Sequence, residues 1–315
     1  MFEIQKYKYS LIAANLAVLF CLESYSLRNL DKNFIIERKC IESSIYNNEV
    51  ENDETNPEDD VPDISGVVDK LPWENDEEFL KAQKENDVDV LMAAYCTVLK
   101  DPLPGEEYNV HLAASSLSGT VLLPEEIFSQ NNRIGPYVEE KGYQKGPTYT
   151  GANIITTVGG GVCKVSSTLY NVAILSNLEI VERHNHTMPV PYVPYGQDAT
   201  VSYGAKDFRF KNNTDFPILI WAKGIENRLY MGFYGREEPP EVEWNHDILD
   251  MTEAPKYYKN NPELEKGEEK IIVEGMDGAV VDSWVTIKEK DGTVKTKKLG
   301  TSRYTPMPYI IETNK

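Results

Sequence analysis

The sequence predicts an α+β fold, in which a central helix packs beside an antiparallel β-sheet and a small all-β module follows. The helix is indicated by apolar residues at helical spacing from Val165 to Ala173. The sheet is indicated by strand-like runs at 178–186, 198–204, 207–212, 216–224 and 228–235. The all-β module is indicated by Asp-Gly turns at 277–278 and 291–292, which are typical of hairpins.

The first 45 residues are predicted to be a leader or signal anchor. Two lysines precede an apolar run from about Leu11 to Leu22, which is too short for a clear membrane-spanning helix but suits a signal-peptide core or a weak membrane anchor. A helix packed against the body of the protein is the alternative. Residues 46–70 contain the acidic run "NNEVENDETNPEDDVPD" and are predicted to be a disordered linker, because so polar a segment has little to bury.

Ordered structure is expected from residue 71. Residues 88–99 have the composition of a strand, although a buried helical turn is also compatible with it. A helix is expected from Asn109 to Gly119, since glycine favours the left-handed helix cap, and a short strand follows it. Residues 71–240 are predicted to form the main domain and residues 247–315 the β module.

Composition restricts the function. The formal net charge of −19 argues against a nucleic-acid partner, because phosphate binding needs clustered cations. Cysteines at positions 21, 40, 96 and 163 match neither a zinc ribbon nor a disulfide scaffold. We expect no cofactor.

The run "GGGVC" at residues 159–163 is the strongest chemical signal. Glycines that deliver a cysteine to the first turn of a helix place the thiol where the helix dipole favours the thiolate. Free amides at that helix terminus are expected to form an oxyanion hole. Cys163 is therefore a candidate nucleophile, although a tight turn with a buried, inert cysteine explains the same pattern.

A cysteine nucleophile needs a base. His184 and His186 follow on a predicted strand, where they share a face with Ile180 and Glu182, and Asp198 begins the next predicted strand. Cys163, His186 and Asp198 thus form a candidate catalytic set, with His184 as the other possible base. The His-x-His spacing also suits a zinc site completed by Asp198 or Cys163.

Several neighbours are candidate substrate-binding residues, each with a structural alternative. A substrate carboxylate suits the guanidinium of Arg183, and an aromatic groove suits Tyr170, although a surface ion pair and core packing are their ordinary roles. Lys164 is expected to lower the pKa of the adjacent thiol. The candidate substrate-binding set is Gly159, Gly160, Gly161, Lys164, Arg183 and Tyr170.

Three segments together resemble the VanW family. They are "GTVLLPEEIFSQNNRIGP", "GYQKGPTY" and the long stretch from "GGGVCKVSSTLYN" through "VERHNHTMPVPYVPYGQDATVSYG" to "FPILI". The resemblance covers about residues 105–236, and it places the family's Gly-Gly-Gly-x-Cys, Arg-His-x-His and Asp-Ala-Thr-Val motifs on this chain. One departure is Lys164, where the family usually has glutamine. From about residue 247 the chain resembles the G-five type of extracytoplasmic β module.

The resemblance implies an exported or membrane-anchored envelope protein of a Gram-positive bacterium, with peptidoglycan or its precursors as partner. It does not supply a reaction. Two functions are expected. In one, Cys163, His186 and Asp198 hydrolyse or transfer a peptidoglycan amide. In the other, the domain and the β module bind the cell wall without turnover.

Overall fold

A computed structural model describes residues 61–100, 102–150 and 153–315. The predicted leader at 1–45 and most of the predicted linker lie outside the described residues. Residues 61–315 belong to one compact unit. Gly66–Val67, at the end of the predicted linker, already pairs with a strand of the main sheet. In the part of the chain that the structure describes, no helix is long and apolar enough to cross a membrane.

The fold is α+β, as predicted. The described helices are α1 (Glu77–Asn86), α2 (Glu106–Leu117), α3 (Gln130–Ile134) and α4 (Cys163–Leu175), with a 3-10 turn at Glu139–Lys141. The strands of the first part are β1 (Gly66–Val67), β2 (Val90–Val98), β3 (Thr120–Leu122), β4 (Ile127–Ser129), β5 (Lys145–Thr150), β6 (Asn153–Val158), β7 (Glu179–Glu182), β8 (Arg209–Lys211), β9 (Ile218–Ile225) and β10 (Arg228–Gly235). Those of the C-terminal part are β11 (Glu241–Thr252), β12 (Lys256–Asn260), β13 (Glu269–Val273), β14 (Gly278–Lys288), β15 (Val294–Tyr304) and β16 (Tyr309–Thr313).

The main sheet has the strand order β1-β2-β10-β9-β3 and is antiparallel throughout. Within residues 88–99, β2 (Val90–Val98) is a strand of this sheet, which settles the choice between strand and helix. Side chains of β2 alternate between two cores, because successive residues of a strand point to opposite faces. Cys96 and Val98 pack in the core that includes Trp73 of the chain before α1, while Tyr95 packs in the larger core around α2 and α4.

Helix α4 is the predicted central helix. It begins at Cys163 and buries Val165, Leu169 and Val172, as the helical spacing predicted. It ends at Leu175, and Asn177 adopts a left-handed φ of 55° just beyond it. Because α4 is buried, it holds Cys163 at a fixed point of the core.

Helix α2 begins at Glu106, three residues before the predicted start.

One predicted strand is shorter than expected and another is absent. Strand β7 ends at Glu182, so the predicted strand face that carried both histidines does not exist, and residues 198–201 are not in a strand. The chain from 183 to 201, here called the histidine–aspartate segment, is irregular. It contains Pro189, Pro191 and Pro194, which lack the N–H needed for a strand ladder.

The chain from 241 to 315, here called the C-terminal β region, contains two three-stranded sheets ordered β11-β14-β15 and β12-β16-β13. The turn with Asp291 and Gly292 joins the β14–β15 hairpin, as predicted. The turn at 277–278 is not a hairpin, because β13 before it pairs with β16 whereas β14 after it pairs with β11 and β15. Strand β11 spans the expected domain boundary at 247.

Candidate active site

The glycine run shapes a turn that packs against the protein's own backbone. Gly159 and Gly161 have φ angles of 77° and 103°, which side-chain-bearing residues rarely adopt. A Cβ at Gly160 would lie 2.3 Å from the carbonyl group of Gly146, so only glycine fits there. Close internal packing therefore explains the glycines that the sequence offered as substrate-binding residues.

Most backbone N–H groups of the first turn of α4 already donate hydrogen bonds to nearby carbonyl groups. Lys164 N–H donates to the Gly161 carbonyl, and the N–H groups of Val165 and Ser166 donate to the Val162 carbonyl. Among the described residues, the amide of Cys163 itself has no hydrogen-bond acceptor. The expected oxyanion hole of several free amides is thus reduced to this single N–H at the start of α4.

The Cys163 side chain is partly exposed and meets the histidine–aspartate segment. Its Sγ lies 3.4 Å from Thr200 Oγ1 and 3.6 Å from the carbonyl oxygen of Val201. The His186 side chain adjoins the thiol closely enough to lower its pKa. The thiol is therefore neither isolated nor sealed in apolar packing.

His186 is held by Asp198 at two points. Its ring Nδ1 lies 2.6 Å from Asp198 Oδ2, and its backbone N–H donates to the same oxygen at 2.7 Å. Because Nδ1 faces the carboxylate, Nε2 is the nitrogen left for the thiol. Asp198 is buried, with 1% of its side chain exposed, whereas 19% of the His186 side chain is exposed. The structure thus brings Cys163, His186 and Asp198 together.

His184 does not join this group. Its Nε2 lies 3.0 Å from Glu182 Oε1, and its side chain is 40% exposed. The zinc alternative needed both imidazoles at one point, but they contact different carboxylates. Among the described residues, no group of three histidine, cysteine or acidic side chains is placed to hold a metal ion.

The electrostatics favour a thiolate beside an imidazolium. Burial raises the pKa of the Cys163 thiol, but the hydrogen bond and charge of His186, with the Thr200 hydroxyl, outweigh burial and lower it to about 7. Burial lowers the pKa of His186, but the hydrogen bonds to Asp198 and Cys163 raise it to about 9. Between these two values the ion pair is the favoured state. In contrast, burial raises the pKa of the Cys96 thiol to about 12.

Arg183 is an internal ligand of Asp198. Its Nη2 donates to Asp198 Oδ1 at 2.9 Å, its Nε donates to the Asp198 carbonyl at 2.7 Å, and its guanidinium stacks on the ring of Tyr170. Tyr170 is buried. Neither side chain is therefore placed to contact a substrate, as the sequence had suggested for both.

Lys164 is also committed to an internal contact. Its ammonium bonds to the buried Glu106 carboxylate and lies 4.8 Å from the centre of the Tyr192 ring. Glu106 offsets the positive charge that the sequence expected to act on the thiol. Lys164 therefore stabilises the contact between α2 and α4 instead of presenting a free cation.

The region that contains this site is similar to a known family. Residues 105–234 match the family described as VanW like protein. This matched region is here called the VanW-like domain. Cys163, His186 and Asp198 all lie inside it.

Relatives of the VanW-like domain include two curated proteins. One is the uncharacterized protein YoaR of Bacillus subtilis (strain 168), which is 39% identical over 146 residues, covering 46% of this chain and 48% of the relative. The other is the vancomycin B-type resistance protein VanW of Enterococcus faecalis (strain ATCC 700802 / V583), 29% identical over 137 residues, covering 42% of this chain and 50% of the relative. The matched regions span about half the length of these relatives.

Two solved structures of G5 domains are similar to part of the chain. The HP0197 G5 structure is 17% identical and covers 24% of this chain and 99% of its own, with a TM-score of 0.14. The IgA1 protease G5 domain is 21% identical and covers 25% of this chain and 95% of its own, with a TM-score of 0.16.

Sequence reasoning missed three residues that touch the site. Thr200 contacts the thiol, and its place beside Asp198 in the Asp-Ala-Thr-Val motif was a local signal. Tyr304 OH donates to Asp198 Oδ1 at 2.5 Å, and Ser302 Oγ accepts from Arg183 Nη1 at 2.8 Å. Both lie on β15, more than a hundred residues along the chain, so no local pattern connects them to the VanW-like domain.

Proposed function

We propose that the VanW-like domain is a cysteine-nucleophile enzyme of the cell envelope, acting on an amide bond of peptidoglycan or its precursors. One observation carries the proposal: Cys163, a partly exposed residue, has its thiol beside His186, whose Nδ1 is held by the buried Asp198. A nucleophile, a base and an orienting carboxylate in hydrogen-bond contact are the parts that nucleophilic acyl transfer requires.

The reaction would proceed in two balanced steps. The Cys163 thiolate attacks the carbonyl carbon of the amide, and the amide N–H of Cys163 is placed to stabilise the developing oxyanion. The His186 imidazolium then gives its proton to the leaving amine as the C–N bond breaks, which leaves a thioester on Cys163. Attack by water, deprotonated by neutral His186, releases the acid; attack by an amine instead gives transpeptidation.

The substrate class comes from the resemblance to the VanW family and from one relative, whose name ties it to vancomycin resistance. The same considerations support association with the cell wall outside the membrane. A cell-wall-binding domain without turnover is the competing function. It predicts an unreactive Cys163, whereas the catalytic proposal predicts a thiolate at neutral pH.

The deciding experiment measures the alkylation rate of Cys163 by iodoacetamide against pH, with peptide mapping to identify the labelled cysteine. In the full chain the rate is expected to rise with a midpoint near 7. In His186→Ala the midpoint should rise above the value of about 8.5 for free cysteine, because burial then acts without an opposing charge.

The matched control is His184→Ala, which removes a neighbouring imidazole that contacts Glu182. Its midpoint should equal that of the unmodified chain, and Cys96 should stay unlabelled in all three proteins because it is buried. Purified muropeptides then test turnover, with Cys163→Ala as the inactive variant. An ordinary thiol midpoint that is indifferent to His186, with no turnover, would establish the binding function instead.

A further inference from the structure

The C-terminal β region reaches the candidate active site at the buried carboxylate. The Tyr304 hydroxyl, at the end of β15, donates to Asp198 Oδ1 and accepts from the Gly196 N–H at 2.9 Å. Ser302, two residues earlier on the same strand, accepts from Arg183. The family match ends at residue 234, so both contacts come from outside the VanW-like domain.

The two carboxylate oxygens of Asp198 accept hydrogen bonds from different residues. Oδ2 accepts both hydrogen bonds from His186, and Oδ1 accepts from Arg183 and Tyr304. A carboxylate can rotate about its Cβ–Cγ bond, so the direction of Oδ2 toward His186 depends on what holds Oδ1. Arg183 is the donor within the VanW-like domain, and Tyr304 donates to the same oxygen from the C-terminal β region.

Tyr304 keeps its proton wherever the site is charged. Burial, together with the adjacent Asp198 carboxylate, raises the pKa of Tyr304 well above its ordinary range. The hydroxyl is thus a permanent donor to Asp198, in contrast to a group that titrates with the site. Tyr195, whose ring packs against that of Tyr304, directs its own hydroxyl to the Asp277 carbonyl at 2.7 Å.

We infer that Tyr304, supported by Ser302, is a positioning residue for His186, and that the candidate active site is built jointly by the VanW-like domain and the C-terminal β region. The inference rests on the proposed function for its catalytic meaning. Its physical content is that Tyr304 orients the Asp198 carboxylate, through which it sets the proton affinity of His186 and the thiolate population of Cys163.

The test compares Tyr304→Phe with Tyr195→Phe in the full chain. Each variant removes one hydroxyl from a pair of tyrosines whose rings pack together and keeps the ring. Only the Tyr304 hydroxyl contacts Asp198. Two pH profiles are recorded: the NMR titration of the His186 imidazole and the alkylation rate of Cys163. Tyr304→Phe should lower the His186 midpoint and reduce the Cys163 alkylation rate below pH 6 by about threefold, a part of what a hydrogen bond to a charged group contributes. Tyr195→Phe should leave both profiles unchanged.

Unchanged profiles in a folded Tyr304→Phe, or equal changes in both variants, would overturn the inference. If Tyr304→Phe does not fold, Ser302→Ala decides, because it removes only the partner of Arg183 and should lower the His186 midpoint by a smaller amount. The inference about Tyr304 is tested by the His186 titration, independently of whether the protein is an enzyme. An ordinary thiol midpoint in the unmodified chain would instead reject the proposed function.

Discussion

The two halves of the candidate active site are built in different ways. Cys163 lies at the start of α4, a helix whose backbone bonds are internal and whose apolar side chains fill the main core. His186 and Asp198 lie on the histidine–aspartate segment, which has no regular structure and is held by side chains such as Arg183 and Tyr304. The candidate nucleophile is positioned by a secondary-structure element, whereas the candidate base and its carboxylate partner are positioned by a hydrogen-bond network.

This difference predicts different responses to substitution. A change beside the helix should alter the free energy of unfolding without altering the thiol, because the helix holds its own geometry. A change in the network should alter both, since the same bonds fix the fold of the segment and the charge of His186. Three substitutions test the comparison.

The largest effect is expected for Asp198→Ala. Removing one partner of a buried ion pair leaves Arg183 Nη2 and His186 Nδ1 without their carboxylate acceptor, which should lower the free energy of unfolding by about 3–5 kcal/mol at pH 7. The Cys163 alkylation midpoint should rise as well. Chemical denaturation and the alkylation profile measure the two effects.

The pH dependence of that loss has a definite sign. His186 and Arg183 hold the pKa of Asp198 below its ordinary range despite its burial, so the carboxylate contributes stability above the unfolded pKa of about 3.9, and this contribution is lost as the pH falls through the folded pKa. The difference in unfolding free energy between the unmodified chain and Asp198→Ala should therefore shrink in acid. Asp215→Ala, at an exposed position, is the control and should change stability by less than about 0.5 kcal/mol. A constant difference down to pH 2 would contradict this account.

An intermediate effect is expected for Lys164→Gln on the helix side. The buried Glu106 loses its charged partner, so unfolding should become easier by about 1–3 kcal/mol. The midpoint of the Cys163 alkylation profile should stay near 7, because His186 lowers the pKa of the thiol and is unchanged in this variant. The double variant Lys164→Gln, Glu106→Gln removes both charges and should recover part of the loss. A clear rise of the midpoint in Lys164→Gln would show that the two halves are coupled.

The smallest effect is expected for Thr200→Val. The hydroxyl 3.4 Å from Sγ contributes to the lowered pKa of Cys163, less than His186 does. Its loss should raise the alkylation midpoint by a fraction of a pH unit, with a stability change of about 1 kcal/mol or less. Thr214→Val, at a turn away from the thiol, serves as the control for replacing a threonine and should leave the midpoint in place. If Thr200→Val shifts the alkylation midpoint as much as His186→Ala does, Thr200 and not His186 would be the main cause of the lowered pKa of Cys163.

The sequence alone determined the helix half. Periodic apolar residues predicted α4, and a glycine run predicted a tight turn with Cys163 after it, because both depend on neighbours within a few positions. The hairpin at Asp291 and the strands β9 and β10 of the main sheet followed from similarly local patterns.

Only the tertiary structure decided the rest. It placed His186, and not His184, beside Asp198. It also turned Arg183 and Lys164 inward and brought Tyr304 to Asp198 across more than a hundred residues. These outcomes depend on which buried charges meet. The irregular, proline-containing histidine–aspartate segment has no periodic sequence pattern from which its contacts could be predicted. Its conformation is fixed by hydrogen bonds to other parts of the folded chain.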